Sequence, residues 1–500
     1  MFFSRIYDTQ LAQASYLVGC QATGEALVVD PNRDVQRYAD AARAAKLRIT
    51  HVTETHIHAD FVSGARDLAA LTGAQLLLSG EGGDDWQYAF AGAAGARLLH
   101  DGDHFMVGNI RVDVLHTPGH TPEHLSFLVT DTPAGAGPWG LLSGDFVFVG
   151  DVGRPDLLER AAGHAGTMEA SARTLFRSLE GFRALPDHLQ LWPGHGAGSA
   201  CGKALGAVPG STVGYERIAN WGVATTDEDE FVRMVLTGQP EPPRYFAVMK
   251  RVNREGPPRL DALPRPPQLP AAQLECVLRD GCPVVDTRPA AAFAAGHVPG
   301  TINIPLGASF ATWAGSLLPY DQDIYLLVGD QGAAAAAGAA GAARDLALIG
   351  IDRVRGAFGG EAISAWGAAG RDLATVRQAT PAELAELLER GEVTVVDVRG
   401  RAEWEAAHLP GVPNVPLGQL PEYAGELASG RPLVVHCQSG TRSAIAASML
   451  QARGVRDVIN LAGGYAAWAR AGLPVVRQHA PALTPSESVA EPALGASRLR

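Results

Sequence analysis

The sequence predicts an α/β chain of three globular units, and three observations predict it. First, a block recurs 111 positions later. Val284-Val285-Asp286-Thr287-Arg288 returns as Val395-Val396-Asp397-Val398-Arg399, and Gly296-His297-Val298-Pro299-Gly300 returns as Ala407-His408-Leu409-Pro410-Gly411. A period this long marks tandem domains, since solenoid repeats run about 20–50 residues. Second, each copy alternates short Val/Ile-rich runs with helical stretches, the pattern of a doubly wound parallel sheet covered on both faces. Third, the first half of the chain places His- and Asp-bearing motifs directly after apolar, strand-like runs. A length of 500 residues suits about three domains.

The first unit covers residues 1–255. The run Ile49-Thr50-His51-Val52-Thr53-Glu54-Thr55 ends in His56-Ile57-His58-Ala59-Asp60. Two histidines two apart at a strand end lie on one side and can face one metal. Further ligand candidates are His120 in Pro118-Gly119-His120, Asp145 in Ser143-Gly144-Asp145, and His195 in Pro193-Gly194-His195-Gly196. One loop histidine is ordinarily a surface or satisfied residue. Four such elements in this order, each behind an apolar strand, point to a metal site.

This series resembles the metallo-β-lactamase superfamily, which implies an αββα sandwich with the metal at one edge. Within it, Glu54 through Asp60, Gly119-His120-Thr121-Pro122, and Gly144-Asp145 leading to Gly150-Asp151-Val152-Gly153-Arg154-Pro155-Asp156 resemble the persulfide dioxygenases. The resemblance implies one Fe(II) per chain held by His56, His120 and Asp145, a donor set suited to O₂ chemistry, with Zn(II) as the alternative. His58, Asp60 and His195 would then stand behind the ligands, hold metal-bound water, or ligate themselves. Superfamily members with two metals carry a further histidine where this chain has Phe61. A phenyl ring cannot ligate, so a full second site is not expected.

Three residues are candidates for substrate binding. Cys201 follows the His195 loop in a glycine-rich stretch, near Lys203, which favours its thiolate. It is either a small residue packed in a turn or a thiol that handles persulfide sulfur. Arg154 either binds a substrate carboxylate or braces its loop through Asp156. Tyr215 either binds substrate or packs.

A proline-rich stretch from Gly256 to Pro267 reads as a semi-rigid linker. The two copies follow at 268–375 and 377–477, and the Pro/Ser/Glu/Ala-rich tail, 478–500, is expected to be disordered. In the second copy, Pro432-Leu433-Val434-Val435 leads to the loop Cys437-Gln438-Ser439-Gly440-Thr441-Arg442 and then a helix. Such a loop presents a thiolate inside a ring of backbone N–H groups from Gln438, Ser439, Gly440 and Thr441. The helix N-terminus and Arg442, which closes the cradle, both favour the anion. The loop is one residue shorter than the phosphate-binding loop of cysteine phosphatases, a size suited to a sulfur atom carried on Cys437. It resembles the active loop of the rhodanese sulfurtransferases. The first copy reads Leu326-Leu327-Val328-Gly329-Asp330-Gln331-Gly332 there, with neither thiol nor arginine. That copy cannot transfer sulfur and is expected to serve packing, dimerisation or docking. Asp397 and Arg399 are expected to form a structural ion pair.

The order of the three units resembles the fused persulfide dioxygenase–sulfurtransferases of sulfide detoxification. The resemblance implies oxidation of a persulfide, on glutathione, coenzyme A, another thiol or a protein, with O₂ to sulfite. Cys437 would pass sulfane sulfur in the formation or use of thiosulfate. The alternative is a zinc-dependent thioester hydrolase of the glyoxalase II type joined to a sulfurtransferase. A net charge of −12 argues against nucleic-acid binding. No apolar run approaches the ~20 residues of a membrane span, and the first residues are too soon polar for a secretory leader. Five cysteines, an odd number with one reactive, suit a reducing cytoplasm. A homo-oligomer is expected.

Overall fold

The computed structural model describes residues 1–160, 166–203, 205–427 and 430–477. The tail from 478, expected to be disordered, lies outside the described residues. In the first unit, β1 (Phe2–Asp8), β2 (Gln13–Cys20), β3 (Glu25–Val29), β4 (Arg48–Thr53), β5 (Gln75–Ser79) and β6 (Arg97–Leu99) lie side by side in that order. A second sheet contains β7 (His104–Val107), β8 (Ile110–His116), β9 (Leu125–Asp131), β10 (Gly140–Gly144), β11 (Gln190–Pro193) and β12 (Ser211–Thr212), again in chain order across the sheet. Period-two alternation decides what each face buries. Ala14, Tyr16 and Val18 from one sheet meet Val112, Val114, Phe127 and Val129 from the other. The opposite face of the first sheet, with Leu17, Val28, Leu76 and Leu78, is covered by the helices Val35–Ala44 and Ala65–Thr72 through Tyr38, Ala42 and Leu68. Leu141 and Leu191 on the second sheet are covered by the helices Met168–Arg183 and Glu228–Leu236 through Leu175, Leu179, Phe231 and Val235. The result is an αββα sandwich, as expected. The motif loops all leave strands at one edge of it: His56–Asp60 after β4, His120 between β8 and β9, Asp145 after β10 and His195 after β11.

The two repeats are parallel-sheet domains. The middle one orders β13 (Val284–Asp286), β14 (Ile302–Asn303), β15 (Ile324–Leu327) and β16 (Val354–Phe358) as β14-β13-β15-β16. In the last, β17 (Arg377–Ala379), β18 (Thr394–Asp397), β20 (Leu433–His436) and β21 (Val458–Leu461) run β17-β21-β20-β18, while β19 (Ala407–His408) pairs with β22 (Val476–Arg477) outside the sheet. The Ala/Gly run becomes the helix Gly332–Leu348, burying Ala335, Ala339, Ala342, Ala343 and Leu346 on one helical face. Thr380-Pro381-Ala382-Glu383 starts the helix Pro381–Glu389 as a reciprocal capping box, a cap of about 1 kcal/mol.

One apolar cluster runs through all three units, from Phe61, Tyr245 and Met249 through Leu326, Leu348 and Ile349 to Leu417, Val435 and Met449. The middle domain, whose loop holds no cysteine, is docked on the metal-motif unit. Leu348 O accepts from the Val62 amide at 2.7 Å, Arg33 reaches Asp352 at 2.6 Å, and Arg344 bridges Asp8 at 2.6 Å and Asp34 at 2.9 Å. Burial alone would raise the Asp8 carboxyl; the hydrogen bond and charge of Arg344, with the charge of Arg37, outweigh it and hold the group below its ordinary value. Arg344→Ala should therefore lower the stability of the full chain at neutral pH by about 1–3 kcal/mol. A depressed carboxylate pKa stabilises the fold above the unfolded value, and that stability is lost as pH falls through the folded value. The gap in urea midpoint between wild type and Arg344→Ala should accordingly shrink below about pH 4.

Candidate metal centre and thiol cradle

His56, His120 and Asp145 are buried and offer three donor atoms that all lie within 4.8 Å of one another. Asp145 Oδ2 stands 3.9 Å from His56 Nε2 and 3.6 Å from His120 Nε2. Both Asp145 oxygens are buried without a hydrogen-bond partner. A carboxylate in that condition, facing two imidazoles, is what a cation site requires.

The far nitrogen of each imidazole is fixed. His120 Nδ1 donates to Arg154 O at 3.1 Å and His195 Nδ1 donates to Ala12 O at 3.0 Å. Thr55 Oγ1 gives its proton to Asp30 Oδ2 and so accepts from His56 Nδ1, at 2.9 Å in each case. Every Nε2 lone pair is thereby turned toward the shared space. Burial lowers His120 to about 3 and takes His56 well below the ordinary histidine value, helped by the surrounding imidazoles. Both are neutral at pH 7, as ligands must be. Burial raises Asp145 to about 6, against the pull of His195.

His58 is turned elsewhere: its Nε2 lies 3.2 Å from Asp30 Oδ1. Burial would lower His58, but the charge and hydrogen bond of Asp30, with Glu54 and Asp60 behind it, carry it up to about 9. A second buried trio, Asp60, His195 and Cys201, also brings its donor atoms within 4.8 Å. His195 Nε2 is 3.4 Å from both Asp60 Oδ2 and Asp145 Oδ1. The expectation of no full second site rested on Phe61; the loop after His195 places the Cys201 thiol, rather than a residue at 61, beside Asp60 and His195.

Sequence reasoning missed two residues that organise this centre. Asp30, at the end of β3, accepts from the Thr55 amide at 2.6 Å as well as from Thr55 Oγ1. His124 Nε2 accepts from the Asp145 amide at 3.0 Å, and its ring stacks on His56 at 5.1 Å. The available signals were a strand ending in Asp, Val28-Val29-Asp30, and a histidine four residues after His120.

The substrate-binding candidates divide. Arg154 is fully buried, with Nε and Nη2 on Asp156 at 3.0 and 2.7 Å and its remaining bonds on Ala200 O and Pro240 O. It braces loops and keeps no exposed face for a carboxylate. Tyr215 is 60% exposed on the helix Val213–Ala219. That helix follows β12, which pairs with Gln190 and Leu191 at the end of β11 remote from His195, about 13–16 Å of strand away. It does not reach the centre. Cys201 is buried beside Asp60 and His195, and Lys203 does not serve it, since Lys203 Nζ donates to Thr237 O. Burial, with the charges of Asp60 and Asp145, pushes the Cys201 thiol well above its ordinary value. The expectation of a lysine-favoured thiolate is corrected.

In the last domain, β20 delivers Cys437 to the start of the helix Thr441–Ala452. Its Sγ accepts from the Gly440 amide at 3.1 Å and from Ser443 Oγ at 3.5 Å. Gly440 sits at φ +103°, which tips its N–H toward the sulfur at little steric cost. Gly464 lies against the Cys437 carbonyl, where a Cβ would come to 2.3 Å. Arg442 turns aside from the sulfur and clasps Glu403 at 2.6 and 2.8 Å. The backbone amide and Ser443, not the guanidinium, touch the thiol. Asp397 and Arg399 form a buried bidentate pair, with Arg399 over the Tyr465 ring. In the middle domain, Gly360 closes on Gly329 in the same way, over a loop that holds no thiol.

Residues 8–195 match the model of the metallo-beta-lactamase superfamily, and residues 271–360 and 380–471 match that of the rhodanese-like domain. A metallo-beta-lactamase from Staphylococcus aureus subsp. aureus COL, a solved structure, is 43% identical, with a TM-score of 0.64 over 72% of this chain and 99% of that one. A hydroxyacylglutathione hydrolase of Rhodospirillum rubrum is 31% identical over 36% of this chain and 60% of its own length. The mitochondrial persulfide dioxygenase of Bos taurus is 27% identical over 38% of this chain and 66% of its own length. The chain spans less than two thirds of the first of these curated relatives. Among the described residues no helix is long and apolar enough to cross a membrane.

Proposed function

The chain belongs to the metallo-β-lactamase superfamily and carries two rhodanese-like domains, and on that premise we propose that it is a persulfide dioxygenase–sulfurtransferase. The observation that carries the reading is the pairing, in one chain, of a buried His56–His120–Asp145 donor set with a thiol cradle at Cys437. The first unit oxidises a low-molecular-weight or protein persulfide with O₂ and water, releasing sulfite and the thiol. Fe(II), one per chain, fits the donor set and would supply open positions at which O₂ and a persulfide sulfur come together. The chain's own part is positional. Thr55, Arg154 O and Ala12 O hold the three imidazoles, His124 holds the Asp145 backbone, and burial excludes water from the carboxylates.

At the second site the Cys437 thiolate attacks the outer sulfur of a donor such as thiosulfate. A Cys437 S–S bond forms as the donor's S–S bond breaks and sulfite leaves; the reverse step hands the sulfur to sulfite or a thiol. The Gly440 amide and Ser443 hydroxyl stabilise the anionic sulfur.

The deciding experiment is anaerobic reconstitution with iron, then oxygen-electrode assay with glutathione persulfide and coenzyme A persulfide. Oxygen uptake is expected. Its absence, with rapid thioester hydrolysis by the zinc form, would overturn the reading. The second reading, a zinc-dependent thioester hydrolase, is favoured by the Asp60–His195–Cys201 trio and predicts two metals per chain. His58→Ala tests the ligand assignment. Because His58 engages Asp30, the variant should keep near-stoichiometric iron while its rate falls about 10–100-fold. Iron lost as completely as in His56→Ala would make His58 a ligand.

A further inference from the structure

Around Cys201 the metal-motif unit is apolar: Leu11, Phe61, Phe148 and Leu157 belong to the same buried cluster. Tyr245, 5% exposed and just ahead of the helix Phe246–Glu255, brings a hydroxyl into it. What holds Tyr245 comes from another domain. Its ring lies on Gly315 of the helix Phe310–Leu317 in the middle domain, where a Cβ would stand 2.8 Å from Tyr245 Cγ and 3.0 Å from Cδ1. A side chain at 315 would displace the ring, so the fit needs the close approach that glycine allows. Thr312 of the same helix stands beside the Tyr245 hydroxyl, with Tyr320, just past the helix, next to it. The Tyr320 hydroxyl is buried without a hydrogen-bond partner among the described residues. Toward its own unit, the Tyr245 hydroxyl has Asp60 and Cys201 as neighbours. Burial, then the charge of Asp60, with Tyr320 and Cys201 adding to it, holds this phenol well above its ordinary value. It keeps its proton at neutral pH and is a neutral donor near a carboxylate and a thiol.

The same grip extends to the loop that carries the metal motif. A Cβ at Gly350 of the middle domain would come within 3.0 Å of Met249 Cε and 3.3 Å of Val62 Cγ2. Asn253, on the helix with Met249, donates to His58 O at 2.8 Å and to Phe61 O at 2.7 Å, while Leu348 O holds the Val62 amide. The loop with His56, His58 and Asp60 is therefore pinned from the middle domain as well as from its own unit.

We propose that the middle domain is a wall of the metal pocket, clamping Tyr245 so that its hydroxyl is the hydrogen-bond donor that orients sulfur bound beside Asp60 and Cys201. That the ligand is sulfur rests on the persulfide reading above; the wall itself is read without metal, oxygen or turnover. In the metal-free full chain, Cys201 should resist alkylation by iodoacetamide, followed by peptide mass mapping with the exposed Cys276 as reference. Gly315→Leu and Tyr245→Ala should each speed Cys201 alkylation at least about 10-fold, since both open the wall over a thiol now 2% exposed. Tyr245→Ala only removes bulk, so it folds even if Gly315→Leu does not. Cys20, buried in a different core, should stay unmodified, which marks the opening as local. Tyr245→Phe keeps the ring on Gly315 and should leave alkylation as in wild type. In the iron-loaded chain it should cut kcat/KM for persulfide-dependent oxygen uptake about 10-fold, the size of one lost hydrogen bond, with iron content and Cys437 sulfur transfer unchanged. Unchanged Cys201 alkylation in both Gly315→Leu and Tyr245→Ala would overturn the wall, and wild-type oxygen uptake in Tyr245→Phe would overturn the donor. A chain with no oxygen uptake whose two wall variants still exposed Cys201 would remove the dioxygenase reading, and the donor with it, and keep the wall.

Discussion

Asp145→Ala and His120→Ala should each lose bound iron and persulfide-dependent oxygen uptake, while thiosulfate:thiol sulfur transfer at Cys437 continues. Loss of a residue that only orients a ligand costs about 10–100-fold, so removing a donor should cost at least about 100-fold. The donor atoms sit in a buried space where the Asp145 oxygens have no hydrogen-bond partner, and the neighbouring His195 is held through its other nitrogen by Ala12 O. Asp145→Ala also leaves His56 and His120 without the carboxylate that lies 3.9 and 3.6 Å from their Nε2 atoms. Two neutral imidazoles hold a divalent cation poorly at micromolar metal. The check is iron per chain by elemental analysis, oxygen uptake, and sulfur transfer on the same preparations. A variant that lost iron and sulfur transfer together would indicate global unfolding, and one that kept full iron would remove Asp145 or His120 from the donor set.

The architecture was legible because its signals are local. Strand-end motifs such as Thr55-His56-Ile57-His58 and Ser143-Gly144-Asp145 place chemistry at one edge of a sandwich, and the recurrence of Val-Val-Asp-x-Arg marks a duplicated domain. What could not be read depends on contacts between segments far apart in sequence. Asp30 fixes His56 only through Thr55, a relation across two strands that no spacing reveals. Cys201 joins Asp60 and His195 because a loop folds back over the edge; attention to Phe61 alone misses it. Arg442 has the right place in the loop yet is claimed by Glu403, a partner 39 residues earlier. Tyr215 is near His195 along the chain, but β12 runs back along β11 and carries it to the far end. Proximity in sequence misleads wherever a strand reverses.

The silent middle domain also acquires a physical role from the structure. It keeps the rhodanese scaffold, including the glycine at 360 that closes on the loop, while Arg344 and Leu348 on its long helix, with Asp352 just beyond it, dock the metal-motif unit. Its apolar side continues into the Cys437 domain, where Ser448 accepts from the Asn303 amide at 2.9 Å. A module whose loop holds no thiol thus packs against both of its neighbours.

Cys437→Ser should abolish thiosulfate:thiol sulfur transfer, by about 10³-fold or more, and leave persulfide-dependent oxygen uptake largely intact. Serine keeps the shape of the loop and can still accept from the Gly440 amide, so the fold should not change. What disappears is the sulfur nucleophile. A hydroxyl in this cradle, whose ordinary pKa is far above that of a thiol, is not ionised at neutral pH and cannot form the S–S bond. The metal donors come from a different domain with its own strands and core, so their geometry is untouched by the change. Glu403→Gln provides the graded companion. It weakens the hold on Arg442 and frees the guanidinium to turn toward the sulfur, so sulfur transfer should change in rate without being lost. Both variants are to be assayed for thiosulfate consumption and oxygen uptake side by side. An oxygen-uptake loss in Cys437→Ser as large as that in Asp145→Ala would show that the two centres act as one, and the assignment of separate chemistry to separate domains would fall.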